Sequence, residues 1–173
     1  GVEPARGEGL EVHRHHVDLE TEIDQHLARD VAQRRDARAM VRFSRWLAEH
    51  PAIEQESELS VAAALLAFRE QNPDPVPMNG ISFNTISAFA GHAAIAHYAV
   101  SEDSSLPLAN GQMLLVDSGG QYLDGTTDIT RTVAVGDVGG EECANFTRVL
   151  KGMIALSRLR FPAGLAGRDI DVL

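Results

Sequence analysis

The chain has 173 residues and a formal charge of −10, with 44% hydrophobic and 23% charged residues. This length suits about one domain with an ordinary core, and the composition argues against a disordered tail, a collagen-like repeat and a disulfide-dense miniprotein. Its 15 Lys and Arg form no basic stripe with interleaved aromatic side chains, which argues against nucleic acid as a partner.

Cysteine content and hydropathy favour a cytoplasmic protein. Cys143 has no second cysteine with which to form an internal disulfide, and residues 1–6 lack the apolar core of a signal peptide. The longest apolar run, residues 61–68, is about half of the roughly 18 residues that are needed to cross a bilayer. We therefore expect a soluble chain in a reducing cytoplasm, without a membrane partner.

The first 20 residues show no clean helical or strand period, and we interpret them as a loose lead-in. Their clustered histidines, between His13 and His16, have no Cys or carboxylate at ligand spacing, so a solvated tail is favoured over a metal site. From about Glu22 to Glu49, apolar residues recur at intervals of three and four, which predicts an amphipathic helix. The helix should end at His50, because a residue before proline avoids the helical region.

A second helix should follow, capped by Ser57 or Ser60 and closing at Asn72. The proline-rich residues 73–77 then form an extended connector, because proline fixes φ and removes a hydrogen-bond donor.

The remaining residues predict short strands followed by a third helix. Residues 143–154 carry the helical period, and another element should begin near Gly164. Helices, then strands, then a helix describe an α+β fold with an antiparallel sheet. The predicted strands cover residues 81–86, 94–100, 113–116 and 129–135.

Two aspartates stand out in this strand region. Asp117 ends an apolar strand and Asp128 is predicted inside the next one, although aspartate is a poor strand residue and needs a charge partner near apolar neighbours. A loop centred between Tyr122 and Leu123 would place the two residues opposite each other, with Cβ atoms about 5 Å apart. A tight turn at residues 124–125 would instead separate the carboxylates by about 13 Å. We favour the facing arrangement, with a broad or bulged loop.

Facing carboxylates repel each other unless something positive lies between them. Oxygen pairs of this kind suit Mn²⁺, Mg²⁺ or Zn²⁺ in two-metal sites that activate a bridging water. A structural ion pair between one aspartate and Arg131 would also explain the pattern, and spacing alone favours neither explanation.

Longer motifs then indicate a family. Residues 117–132 read DSGGQYLDGTTDITRT, which resembles the hallmark of the aminopeptidase P (Xaa-Pro aminopeptidase) branch of the pita-bread metallopeptidases. The match spans roughly residues 28–173. Further segments that resemble the family, in chain order, are RDA at 35–37, WL at 46–47, SFNTIS at 82–87, AIAHY at 94–98, FTRVLKG at 146–152 and FPAG at 161–164.

This resemblance implies the first half of a pita-bread fold, an antiparallel sheet with flanking helices. Residues 21–173 would then be a truncated metallopeptidase catalytic domain that follows the lead-in of residues 1–20. The implied reaction is hydrolysis of the bond between an N-terminal residue and a following proline, in peptide substrates with proline second. The resemblance also implies a homodimer.

The same resemblance assigns site residues. Asp117 and Asp128 would be two of five ligands for two divalent metal ions, with Mn²⁺ as the first choice and Zn²⁺ or Co²⁺ as alternatives. His97 would be a catalytic residue beside the metal centre, where it binds substrate or stabilises the tetrahedral intermediate.

The chain also departs from the family pattern. Residues 90–93 read AGHA where the family has Gly-Pro-Asn-Gly, and we expect His92 to be a surface replacement and not a new ligand. The family's remaining ligands, one His and two Glu, would lie beyond Leu173. We therefore expect this fragment to be inactive by itself, to bind metal poorly, and to leave half a cavity and an uncovered sheet edge.

Two other functions use the same fold. One is a non-catalytic peptidase-like binding module, and the other is a creatinase-like hydrolase that works without metal. The retention of both Asp117 and Asp128 weighs against each of them.

Overall fold

The computed structural model describes residues 19–72 and 76–172. Its helices are α1 (Leu19–Glu49), α2 (Glu58–Glu70) and α3 (Gly140–Ser157), with short 3-10 turns at Ile53–Gln55, Ala90–Ala94 and Gly167–Asp169. Its strands are β1 (Gly80–Ile81), β2 (Ile86–Phe89), β3 (Gln112–Ser118), β4 (Gly120–Tyr122), β5 (Gly125–Thr126) and β6 (Ile129–Val135). No helix in these two stretches is both long enough and apolar enough to span a membrane.

The first two helices confirm the predicted boundaries closely. α1 starts at Leu19, just before the predicted Glu22, and ends at Glu49 as expected from the following His-Pro pair. The rest of the predicted lead-in, residues 1–18, lies outside the described residues, as do residues 73–75 of the connector. Ser57 caps α2, and its side chain and that of Ser60 each accept a hydrogen bond from the other residue's backbone N–H.

The strands form two antiparallel sheets of three strands, in the orders β2-β3-β6 and β1-β4-β5. The chain from β3 to β6 is one long hairpin that contributes to both sheets. A single register runs through it, from the pair Gln112–Val135 to the pair Tyr122–Gly125. Residues 123–124 therefore make the turn, and the regular pairing is interrupted only at residue 119 and residues 127–128.

The predicted strand at residues 94–100 is wrong. This segment is the end of a 3-10 turn followed by a tight turn, and His97 has a left-handed backbone with φ of 58°. Such a conformation breaks an extended strand, and Tyr98 is drawn inward to a buried hydrogen-bond partner instead. The predicted strand at residues 81–86 is also split, because β1 and β2 belong to different sheets.

The hydrophobic core lies on one face of β3. Leu114 and Val116 are buried against Phe43 of α1 and Leu65 of α2. Side chains alternate along a strand, so Met113, Leu115 and Asp117 point to the opposite face, where they are half-buried.

The opposite face of β3 and β6 is the open side of the molecule. α3 lies along it without a single buried residue, and its apolar side chains Phe146, Val149 and Met153 are exposed. A groove of about 1050 Å³ separates α3 from Met113 and Thr132 of the sheet. Neither Asp117 nor Asp128 lines this groove, so the half cavity that was expected from the sequence stays a prediction.

Candidate metal centre

The two predicted ligands lie where the long hairpin passes from one sheet to the other. Asp117 is paired with Thr130 in the β3–β6 ladder, so the predicted direct pairing of Asp117 with Asp128 is wrong. Asp128 also lies outside β6, in the two-residue interruption before it. The loop is a two-residue turn at Leu123 and Asp124, neither the broad loop that we favoured nor a turn at residues 124–125.

The observed register nevertheless brings the two carboxylates together. Asp128 is the diagonal neighbour of Asp117 on the same face, a relation in which Cβ atoms lie roughly 7 Å apart. The pKa of the Asp128 carboxyl is raised by desolvation, and the facing Asp117 raises it further through its charge and a shared hydrogen bond. Thr130 donates a hydrogen bond of 2.7 Å to Asp117 Oδ1 and fixes that carboxylate.

These features fit part of a divalent metal site. Both carboxylates face away from the core, with Asp117 half-buried and Asp128 exposed, and their mutual repulsion would be relieved by a hard cation between them. Within residues 19–72 and 76–172, no group of three or more His, Cys, Asp or Glu side chains is arranged to hold a metal ion. The pair is therefore an incomplete donor set that needs further ligands.

The alternative explanation, an ion pair with Arg131, is wrong. The Arg131 guanidinium donates to the backbone carbonyl of Thr130 at 2.7 Å. In the described part of the chain it forms no ion pair with either Asp117 or Asp128. Among the described residues, no cationic side chain forms an ion pair that neutralises the two acidic groups.

His97 occupies an exposed turn, and among the described residues it has no hydrogen bond with either aspartate. The turn itself is held by the next residue, because Tyr98 is buried and its hydroxyl donates to Glu58 Oε2 at 2.9 Å. The structure therefore fixes the segment that carries His97 but does not bring the imidazole to the carboxylates.

Glu58 is a buried acid that sequence reasoning missed. It accepts hydrogen bonds from the backbone N–H groups of Phe89 and Leu106 at 2.6 and 3.0 Å. The Nδ1 atom of His92 lies 3.0 Å from the same carboxylate, so His92 belongs to this cluster and not to the two aspartates. The signal in the sequence was weak, since an acid at the first position of a helix ordinarily stays in solvent.

A second missed group is the ion pair between Asp36 of α1 and Arg69 of α2. Arg69 Nε lies 2.5 Å from Asp36 Oδ1, and both residues are almost fully buried. The helical period could have revealed Asp36, because it falls one turn before the core residues Ala39 and Met40 on the same face.

Comparison with known proteins identifies the family of the chain. The model of metallopeptidase family M24 matches residues 29–173. Xaa-Pro aminopeptidase 1 of Dictyostelium discoideum is 44% identical over 141 residues, which is 79% of this chain and 22% of that protein. Xaa-Pro aminopeptidase 2 of Sus scrofa is 43% identical over 137 residues, which is 79% of this chain and 20% of that protein.

A solved structure supports the same relation. The X-prolyl aminopeptidase of Caenorhabditis elegans, described as a cytosolic enzyme with a di-nuclear active site, superimposes with a TM-score of 0.72 at 36% identity. The superposition covers 83% of this chain and 23% of that one, and it confirms the predicted first half of a pita-bread fold. The fold is that of a metallopeptidase domain.

The chain belongs to metallopeptidase family M24. It spans about a fifth of the length of the curated relatives that it matches.

Proposed function

We propose that the complete protein is a metal-dependent Xaa-Pro aminopeptidase, which removes the N-terminal residue from peptides with proline in second position. The observation that supports this most directly is the pair Asp117 and Asp128, which converge on the open face of an M24 fold and form no ion pair within the described part of the chain. The relatives named above carry the same activity in their names.

In this proposal Asp117 and Asp128 hold two divalent ions together with ligands from outside the described residues. When bound, such ions polarise a scissile carbonyl and lower the pKa of a water molecule. Thr130 orients Asp117 by its hydrogen bond. Two carboxylates are hard oxygen ligands, which favours Mn²⁺, with Zn²⁺ or Co²⁺ as alternatives.

We further propose that His97 donates a hydrogen bond to the substrate carbonyl or to the negative charge that develops on it. Its exposed position in an anchored turn makes the imidazole accessible to a bound peptide. A cytoplasmic location is proposed as well, supported by the description of the nematode enzyme as cytosolic.

The test is metal analysis and a peptidase assay on the full-length protein. We expect two divalent ions per chain and hydrolysis of an Xaa-Pro tripeptide that stops after treatment with a chelator. Asp117→Asn and Asp128→Asn should each lower the metal content and abolish hydrolysis, whereas Asp103→Asn, which changes an exposed acid elsewhere, should do neither.

Other results would favour the alternative functions. Hydrolysis that continues without bound metal would favour a creatinase-like enzyme. Neither bound metal nor hydrolysis would favour a peptidase-like binding module.

A further inference from the structure

We propose that the buried ion pair of Asp36 and Arg69 positions the two metal-binding aspartates through Ser118 and Thr127. The part of this inference that concerns metal rests on the proposed function. The part that concerns the strand ends rests on the hydrogen bonds alone.

The ion pair is placed to act as a fixed support. Asp36 is 0% exposed and Arg69 is 2% exposed, and they join α1 to α2 behind the sheet. A buried pair of this kind tolerates little movement, because displacing either partner leaves an uncompensated charge in the interior.

Each residue of the ion pair forms one hydrogen bond with the long hairpin. Arg69 Nη2 donates to Ser118 Oγ at 3.0 Å, and the hydroxyl of Thr127 donates to Asp36 Oδ2 at 2.6 Å. Ser118 directly follows Asp117 in the chain, and Thr127 directly precedes Asp128.

Side chains alternate along a strand, so hydrogen bonds to the inward residues Ser118 and Thr127 also affect their outward neighbours. Ser118 and Thr127 are fully buried, whereas their neighbours Asp117 and Asp128 point to the open face. Holding the inward residue of each pair therefore fixes the direction of the carboxylate beside it.

The attachment lies where the strands give the least support. Regular pairing stops at Gly119 and at residues 127–128, so the ladder alone does not hold Asp128. The Thr127 hydroxyl also receives the backbone N–H of Gly120 at 2.8 Å. A Cβ atom at Gly119 would overlap the carbonyl oxygen of Thr127, which shows how closely the two segments approach.

The experiment removes one attachment and leaves the ion pair in place. Thr127→Val in the full-length protein keeps the side-chain shape and loses the hydroxyl, and Thr127→Ser restores the hydroxyl. Thr126→Val is the matched control, because Thr126 is the exposed neighbour whose hydroxyl donates to the Gln121 side chain. Leu65→Val controls for a general loss of stability.

Two readouts separate positioning from folding. Amide hydrogen exchange at residues 117–119 and 128–130 reports the strand ends without metal, and calorimetric titration with Mn²⁺ reports the metal site. For Thr127→Val we expect roughly tenfold faster exchange at these amides and Mn²⁺ affinity that is about 10- to 100-fold lower, as for other groups that orient metal ligands. Thr127→Ser should recover both values, and Thr126→Val and Leu65→Val should change neither.

Equal exchange rates and Mn²⁺ affinities for Thr127→Val and Thr126→Val would overturn the proposal. A loss of Mn²⁺ affinity in Leu65→Val as large as that in Thr127→Val would also overturn it. If Thr127→Val does not fold, Ser118→Ala tests the same claim through the Arg69 attachment. The unmodified protein could bind no Mn²⁺ while Thr127→Val still shows faster amide exchange. That result would support the positioning of the strand ends and overturn the metal-dependent function.

Discussion

Glu58 shows how a single buried acid can organise a long loop. Its carboxylate accepts hydrogen bonds from two backbone N–H groups and from the Tyr98 hydroxyl. It therefore joins α2 to both ends of the segment from Phe89 to Leu106. This segment includes the turn with His97. The turn that carries the proposed catalytic imidazole is therefore anchored on Glu58 of α2.

Glu58→Gln should destabilise the protein by about 2 kcal/mol at pH 7, because hydrogen bonds to a charged group are replaced by weaker ones. Burial alone would raise the pKa of Glu58, but hydrogen bonds from Phe89, Leu106, Tyr98 and His92 outweigh it and lower the pKa below 4.5. Because the pKa is lower in the folded state, this contribution is present above pH 4.5 and is lost as the pH falls through the folded-state pKa.

The measurement is denaturant unfolding of both proteins at pH 7 and at pH 3. The difference between Glu58→Gln and the unmodified protein should shrink at the lower pH. Glu102→Gln, an exposed acid in the same loop, serves as the control and should cost little at either pH. A difference that is constant with pH would contradict this role for the charged carboxylate.

Among the structural elements, β3 contributes to both the core and the candidate metal site, because its two faces carry different side chains. Leu114 and Val116 build the core, whereas Met113 lines the groove beside α3 and Asp117 points to the same face of the strand. One strand thus links the stability of the fold to the direction of a proposed metal ligand.

Leu114→Ala should cost about 3 kcal/mol, because it removes a fully buried side chain and leaves a cavity between the sheet and the helices. Met113→Ala, its neighbour on the open face, should cost about 1 kcal/mol or less, because Met113 is only half-buried. Unfolding in urea measures both values. Equal costs would show that the open face is packed as tightly as the core.

Sequence patterns predicted most of these elements because their signals are local. Helical periodicity and the His50-Pro51 pair fixed the end of α1, and a serine cap fixed the start of α2. The turn at His97 was missed because a left-handed backbone at a histidine has no sequence signature of its own.

The candidate site was predicted only in part, for a related reason. The type and spacing of Asp117 and Asp128 indicated a shared site, but the register between them depends on a two-residue turn that several loop lengths could have replaced. The support from Asp36 and Arg69 joins residues 33 positions apart in the chain, and no local pattern reveals such a contact.

For the whole molecule, the open face is the dominant feature. α3 has no buried residue, and the groove beneath it leads along the face that carries Asp117. The core between the sheet and the first two helices is, by contrast, complete and closely packed. The described residues therefore combine a well-packed core with an incomplete set of metal ligands.

The chain of 173 residues, prepared by itself, should bind Mn²⁺ only weakly and should not hydrolyse Xaa-Pro peptides. Two carboxylates leave most coordination positions of two ions unfilled, and the described residues supply no third ligand beside them. Calorimetric titration with Mn²⁺ and an Xaa-Pro tripeptide assay measure the two properties. Efficient turnover by the isolated chain would show that its own residues complete the site.

The turn at Leu123 and Asp124 closes the long hairpin in its observed register. A strand that slips by one position presents the opposite set of side chains, so a change of one residue that was taken up by slippage of the pairing would turn Asp128 toward the interior while Asp117 stayed in place. Arg35 donates two hydrogen bonds of 2.8 and 3.0 Å to the Asp124 carboxylate, and these bonds oppose such slippage. Variation in the length of this tip should therefore be tolerated where the loop itself takes up the change and the pairing of the strands is kept.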